Sequence, residues 1–498
     1  MSIPKLASLS AERLLHTVGV WLLLSMFAVP SWAQPSASRP ASSPRAGAPS
    51  GPVQKPDSAA RSFRLSDRRQ PIDPGPLAAR GIRRHASKRL ILFTDVIDPE
   101  VAQLPQLVDA AYNNLVTQLG ELPPSRERDE FQVTGYLIRS QPLFREAGLL
   151  PDDLARFDHG RNRGYEFWLN EQPTPYYRAH LLLHEFTHCY TTVVRHGLLQ
   201  TGWYMEGIAE LFATHNLDKD GQFQFAHIPQ QRTQFPGLGR IRLIEEARRD
   251  GNLLSLTEVQ QQPYERFLKP EAYAWSWALC QFLTGHPRYR APFLEASHSV
   301  TTAGTDAKLR QLLSEPSLAR EWEWFTRDLC HGYDQMLATI NPPDKLPNSV
   351  SDSPAKGKST RDSNADADSQ PEDDRSNTPA GSLIIRAKGG WQLTPLDLTT
   401  QSPLTLEAFG RFQLQTEPQT WVSTAEGVSI RYHAGLPLGR LVGRIWPDDP
   451  QVPTPPDLDL GSRATVAPAI SGRLYLRLND AWNELADNQG EVRVSPTE

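Results

Sequence analysis

The residues best suited to chemistry in this chain are His184-Glu185-Phe186-Thr187-His188, followed by Trp203-Tyr204-Met205-Glu206-Gly207. On a helix the two histidines stand at i and i+4, so both imidazoles leave one face, as two ligands of a tetrahedral zinc ion require. Glu185 lies beside the pair and can act as general base on a metal-activated water. Glu206 offers a third, oxygen ligand. Two His and one Glu leave a coordination position open for water, which marks a catalytic rather than a structural site.

The flanking sequence must supply the helix that holds this pair. Leu182, Leu183, Phe186, Tyr190 and Val194 recur at helical spacing and form an apolar face, and Gly197 reads as a stop signal. A second helical segment, 206–213, begins where the chain can return to the metal. Cys189 points about 100° away from the ligand face and reads as a small buried residue.

These motifs resemble the gluzincin metallopeptidases, the clan of thermolysin and the aminopeptidase N-like enzymes. There the third ligand is the Glu of a W-x-x-E-G-x-A stretch, matched here by Trp203-Tyr204-Met205-Glu206-Gly207-Ile208-Ala209. Seventeen residues separate His188 from Glu206, one fewer than in the aminopeptidases. The resemblance implies that Glu210, one turn on, accepts the second ring N–H of a zinc histidine; a solvated helix charge is the alternative. It also implies that Tyr273, in Glu271-Ala272-Tyr273-Ala274-Trp275, donates to the developing oxyanion, against the alternative of a core aromatic in a Trp-rich helix. The G-x-M-E-N motif that binds a free amino terminus in the aminopeptidases is absent, so nothing argues for exopeptidase action. The implied activity is zinc-dependent hydrolysis of a peptide or protein substrate.

With a net charge of −5 over 498 residues, no global attraction to nucleic acid or anionic membrane is expected. Residues 1–33 read as a secretory signal: Lys5 and Arg13 precede a mostly apolar run at 14–29, and Ser31-Trp32-Ala33 fits a small-x-small cleavage site. The run is short for a spanning helix. A secreted, periplasmic or cell-surface protein follows, with no stable membrane insertion after cleavage; an uncleaved anchor is the alternative. Of the three cysteines, Cys280 and Cys330 form the candidate disulfide.

The expected architecture is multidomain. A Pro/Ser/Ala-rich disordered spacer fills 34–86. An α+β zincin-like domain fills 87–341, with a small mixed sheet feeding the HExxH helix and a mostly helical second half. Strands are predicted at 90–94, 131–138 and 164–169, and a helix at 99–122 with Asp98 as N-cap. The resemblance implies that the strand at 164–170 is the substrate edge. An acidic disordered linker fills 342–381.

Residues 382–498 carry short alternating runs at regular spacing, the pattern of an all-β sandwich. Between two of its strands, Asp480, Asp487 and Asn488 fall in one loop, and oxygen donors so spaced suit Ca²⁺; an Asn/Asp-rich turn is the alternative. This region resembles the PA-IL-like galactose-binding calcium lectins through Ala408-Phe409-Gly410, Gly439-Arg440-Leu441-Val442 and the Asn-Asp loop. The resemblance implies side-chain ligands from Asp480, Asp487 and Asn488, backbone carbonyls from Glu484 and Leu414, and a glycan partner. Two departures stand out. The sugar-contacting His and Gln have no counterpart near 421–427, where Glu426 stands, and Glu484 replaces a smaller residue.

Overall fold

A computed structural model describes residues 63–127, 129–154, 157–195, 201–234, 239–299, 301–343, 382–414 and 419–497. The signal-like segment, the spacer up to residue 62, Gly197 and the acidic run at 344–381 lie outside the described residues. The chain is mixed α/β, with a helical middle and a β-rich C-terminal region in several sheets. Among the described residues no helix is long and apolar enough to cross a membrane.

The first layer contains α1 (Pro74–Ala79), β1 (Arg83–Ala86), β2 (Leu90–Thr94), α2 (Leu104–Leu119), β3 (Val133–Ile138), α3 (Gln141–Glu146), β4 (Gly160–Arg163) and β5 (Glu166–Asn170). Its sheet runs β1-β2-β3-β5-β4. β2, β3 and β5 are parallel, and β3 is buried along its whole length, as a strand covered on both faces must be. The free edge beside α4 (Pro175–Arg195) is β4, which turns back antiparallel on β5 through Gly164 at φ +60°. This corrects the expected substrate edge: the apolar strand at 164–170 is internal. The edge strand Gly160-Arg161-Asn162-Arg163 is polar because one of its sides faces no partner, so it gives no alternating signal.

Ordered structure also begins earlier than the expected domain start at residue 87. Leu65 N donates to the Val193 carbonyl at 2.9 Å, and Arg64 Nε donates to the Tyr165 hydroxyl at 3.2 Å. Asp73 caps α1 through Gly75 N at 3.0 Å. Arginine-rich and Pro/Gly-rich composition imitates a spacer here, but the arginines satisfy buried backbone carbonyls, and Asp73-Pro74 is a helix start rather than a break.

The middle layer holds α5 (Gly202–Ala213), the hairpin β6 (His215–Leu217) and β7 (Phe223–Phe225), then α6 (Arg240–Arg249), α7 (Leu256–Gln260), α8 (Pro270–Gly285), α9 (Arg290–Ser297), α10 (Thr302–Leu313), α11 (Leu318–Asp328) and α12 (Gln335–Ala338). α5 and α8 cross closely because Gly207 has no side chain. A Cβ there would lie 2.5 Å from the Ser276 carbonyl oxygen and 2.6 Å from Cys280 Sγ. Cys280 is thus enclosed at this crossing while Cys330 follows α11, and all three cysteines are free thiols. The expected Cys280–Cys330 bond is absent.

The C-terminal strands are β8 (Leu383–Arg386), β9 (Gln392–Leu398), β10 (Leu404–Phe409), β11 (Phe412–Leu414), β12 (Trp421–Ser423), β13 (Val428–His433), β14 (Leu436–Leu438), β15 (Leu441–Pro447), β16 (Leu458–Asp459), β17 (Arg463–Val466), β18 (Gly472–Leu478) and β19 (Gln489–Thr497). Two antiparallel sheets, β12-β11-β19-β10-β17 with β8 on β19, and β16-β15-β18-β9, share one apolar core of Leu406, Val492 and Val494 against Ile445, Leu474 and Leu476. They form a sandwich.

The sandwich is not an independent bead on a linker. Trp391, Val442, Tyr475, Trp482 and Leu485 belong to the same hydrophobic core as α4, α5 and α8. Asp328, at the end of α11, takes hydrogen bonds from both Arg444 terminal nitrogens at 2.8 and 2.9 Å and from Trp391 Nε1 at 2.9 Å. Arg320 reaches Thr454 Oγ1 at 3.1 Å and the Val452 carbonyl at 2.6 Å.

Candidate metal centre

α4 packs its apolar face on the sheet through Leu182, Phe186 and Val193. That leaves His180, His184 and His188, each one turn apart, facing α5. α5 returns Glu206 and Glu210 on one face, again one turn apart. Sequence spacing alone therefore lines two columns of polar side chains against each other in the interior.

Glu206 Oε2 lies 3.3 Å from His184 Nε2 and 3.4 Å from His188 Nε2, and the two Nε2 atoms are 3.0 Å apart. All three side chains are less than one-tenth exposed. Two imidazole nitrogens and a carboxylate oxygen aimed at one point satisfy each other poorly, because a proton can sit on only one of the facing nitrogens. Among the described residues this is the group of His, Cys, Asp or Glu side chains that could hold a metal ion, with its donor atoms within 4.8 Å of one another. The donor set of two neutral imidazoles and one carboxylate fits zinc.

Burial works to discharge His184, yet the Glu206 and Glu210 carboxylates overcome it and hold its pKa at about 10. Burial likewise works to raise the Glu206 carboxyl, and the two histidines bring it down to about 2. A dication at the same point would supply the positive charge that the carboxylates draw from His184.

Glu210 is buried, not a solvated helix charge. Its Oε1 lies 3.0 Å from His184 Nδ1, and its Oε2 accepts from Arg240 Nε at 2.7 Å with His180 Nε2 at 3.2 Å. Glu210 thus faces one ring nitrogen of His184 while Glu206 faces the other. Glu185 is 5% exposed, and burial pushes its carboxyl above the usual carboxylate range. It rests against Gly160 of edge strand β4, where a Cβ would come within 2.3 Å of Glu185 Oε1. Tyr273, in the first turn of α8, packs its ring 6.0 Å from that of His184. Burial and then the neighbouring carboxylates raise its pKa, so it keeps its proton.

The structure thus brings His184, Glu185, His188, Glu206, Glu210 and Tyr273 together. Three participants were missed. His180 continues the i+4 ladder and was legible from spacing. Gly160 and Arg240 carry no local signal, since one matters for lacking a side chain and the other arrives from a distant helix.

In the C-terminal region Asp480, Asp487 and Asn488 share one loop. Asp480 Oδ2 accepts from Asn488 Nδ2 at 2.9 Å, and its Oδ1 accepts from Ala481 N at 2.7 Å. Asp487 Oδ1 is shielded from solvent with no hydrogen-bond partner, and burial followed by the Asp480 charge raises the Asp487 pKa. The Glu484 carboxylate is turned to Arg431. Leu414 ends β11 with its side chain in the sandwich core.

No family model matches the chain, and no curated protein matches it. Among solved structures, one described as "EclA N-terminal domain; PllA-like lectin" is similar at 19% identity, covering 23% of this chain and 92% of that one, with a TM-score of 0.19. A likeness of that size carries no inference about what this chain binds.

Proposed function

We propose that this chain is an exported zinc-dependent metallopeptidase of gluzincin type. The observation that carries the reading is the convergence of His184 Nε2, His188 Nε2 and Glu206 Oε2 within 3.4 Å, with Glu185 beside them and Glu210 behind His184. His184, His188 and Glu206 would hold a zinc ion, which would acidify water and polarise a carbonyl.

The chain's own residues supply the rest. Glu185 would take a proton from the attacking water and return it to the leaving amine. The Tyr273 hydroxyl donates to the oxygen on which negative charge develops. Glu210 holds His184 in one tautomer. The unpaired edge of β4 offers backbone groups to an extended peptide, and Gly160 lets that strand lie against Glu185. Export rests on the signal-like pattern of residues 1–33.

The test is cleavage of a broad peptide library by the wild type and by Glu185→Gln, with zinc content measured in both. Cleavage lost in the variant at unchanged zinc supports the reading. Wild-type protein that cleaves nothing the variant spares would sink it.

A second reading concerns the sandwich: calcium-dependent attachment to a glycan or surface, with the zincin half a scaffold of little turnover. The solvent-shielded, unpartnered Asp487 Oδ1 beside Asp480 favours a cation there. Trp482 and Leu485 of the same loop are buried in the core shared with the helical half, which narrows the face left for a ligand. A glycan array run with and without chelator separates attachment from a purely structural ion.

A further inference from the structure

Arg240 opens α6 and is 4% exposed, remote in sequence from every residue of the candidate centre. Its guanidinium makes three contacts. Nε donates to Glu210 Oε2 at 2.7 Å, Nη1 donates to the Pro270 carbonyl at 3.4 Å, and Cζ lies 5.6 Å from the centre of the Tyr273 ring. Pro270 and Tyr273 occupy the same first turn of α8. The other oxygen of Glu210 lies 3.0 Å from His184 Nδ1. One planar group therefore touches the carboxylate that orients a metal histidine and also the helix turn and ring that carry the oxyanion donor.

We propose that Arg240 is a positioning residue that couples the two halves of the centre, fixing the Glu210 rotamer behind His184 and the Tyr273 ring in front of it. The inference rests on the metallopeptidase reading and adds a residue to it. A buried guanidinium needs a carboxylate partner, and a fork of five fixed donors can hold a carboxylate and a carbonyl together, which a lysine ammonium cannot do with the same geometry. The planar cation also lies near the Tyr273 ring, a contact that favours one ring orientation. A purely structural ion pair would need neither the shared Glu210 nor the contact with the first turn of α8.

The experiment compares full-length wild type, Arg240→Gln and Arg240→Lys, each checked for folding by circular dichroism. Zinc affinity is read by chelator competition, and the Co²⁺-substituted forms give a visible spectrum that reports ligand geometry. In Arg240→Gln the zinc dissociation constant should rise about 10- to 100-fold, as for loss of other outer partners of metal ligands. The Co²⁺ spectrum should shift, and kcat should fall more than KM changes. In the Tyr273→Phe background the further loss of kcat on Arg240→Gln should be smaller than in the wild type, because one of the two routes is already gone. Arg240→Lys, which keeps the charge, should recover zinc affinity but not kcat, and it stands in if Arg240→Gln does not fold.

A folded Arg240→Gln whose zinc affinity and Co²⁺ spectrum match the wild type overturns the proposal. So does full additivity with Tyr273→Phe, or an Arg240→Lys protein with wild-type kcat. Failure of the hydrolase reading looks different: zinc binds and responds to Arg240, but no peptide is cut. A wild type that binds no zinc overturns both.

Discussion

Among the described residues, two of the buried charge clusters are built on opposite principles. At the seam between α11 and the sandwich, Arg444 is 2% exposed and each of its three side-chain nitrogens finds an acceptor: Asp328 at 2.8 and 2.9 Å, Asp457 at 2.8 Å, with the Trp391 ring 4.2 Å from the guanidinium carbon. Burial would raise the Asp328 carboxyl, but Arg444 holds it below the usual range. At His184, His188 and Glu206 the same degree of burial leaves three ligand atoms facing one another across 3.0 to 3.4 Å. A closed network fixes structure, whereas donor atoms that face one another suit a cation between them. Burial alone does not separate the two; saturation does.

The comparison breaks most sharply at Glu185, which belongs to the open cluster and supports no packing that Gln would lose. Glu185→Gln is expected to lower kcat/KM for peptide hydrolysis about 10³-fold with stability unchanged, measured by steady-state kinetics and urea unfolding together. Asp328→Ala in the closed cluster should do the reverse. It removes two of the four carboxylate hydrogen bonds of Arg444 and should cost about 3 kcal/mol of unfolding free energy, read from the urea midpoint, with zinc affinity retained in the folded fraction.

Acid sharpens the contrast. Burial depresses the His215 pKa to about 4, so the unfolded chain binds the extra proton first. Stability from His215 is complete above the unfolded value near 6.5 and falls as pH drops from there towards 4. His215→Gln should flatten that part of the stability profile by up to about 3 kcal/mol, leaving the share of His433, which burial depresses likewise to about 4. The Asp328 contribution is present above the unfolded carboxylate range and fades only as pH falls through a lower folded value. The smallest effect is expected at the α5–α8 crossing. Gly207→Ala should destabilise by about 1–3 kcal/mol through overlap with the Ser276 carbonyl, seen as a lower melting temperature.

Much of the centre was legible because helices impose a period. His184, His188, Glu206 and Glu210 are pairs at i+4, and the structure sets them on facing surfaces of α4 and α5. The strand at 90–94 was legible from its apolar run and that at 131–138 from its alternation, though the structure starts the latter at Val133. What escaped was whatever depends on a partner distant in sequence. β4 is polar because it is an edge, and Gly160 matters only because Glu185 passes it. The arginines at 64 and 69 resemble a solvated arm until their acceptors, Tyr165 and Thr134, are known. The seam was hidden for the same reason, since Arg444 and Trp391 gain meaning only from Asp328.

The open character of the first cluster is tested most directly by metal content. Full-length protein, equilibrated with micromolar zinc and freed of loosely bound ion, should carry about one zinc per chain by mass spectrometry. The doubly substituted His184→Ala/His188→Ala chain, folded by circular dichroism, should carry none. A wild type without stoichiometric zinc, or a double variant that keeps it, would contradict the account.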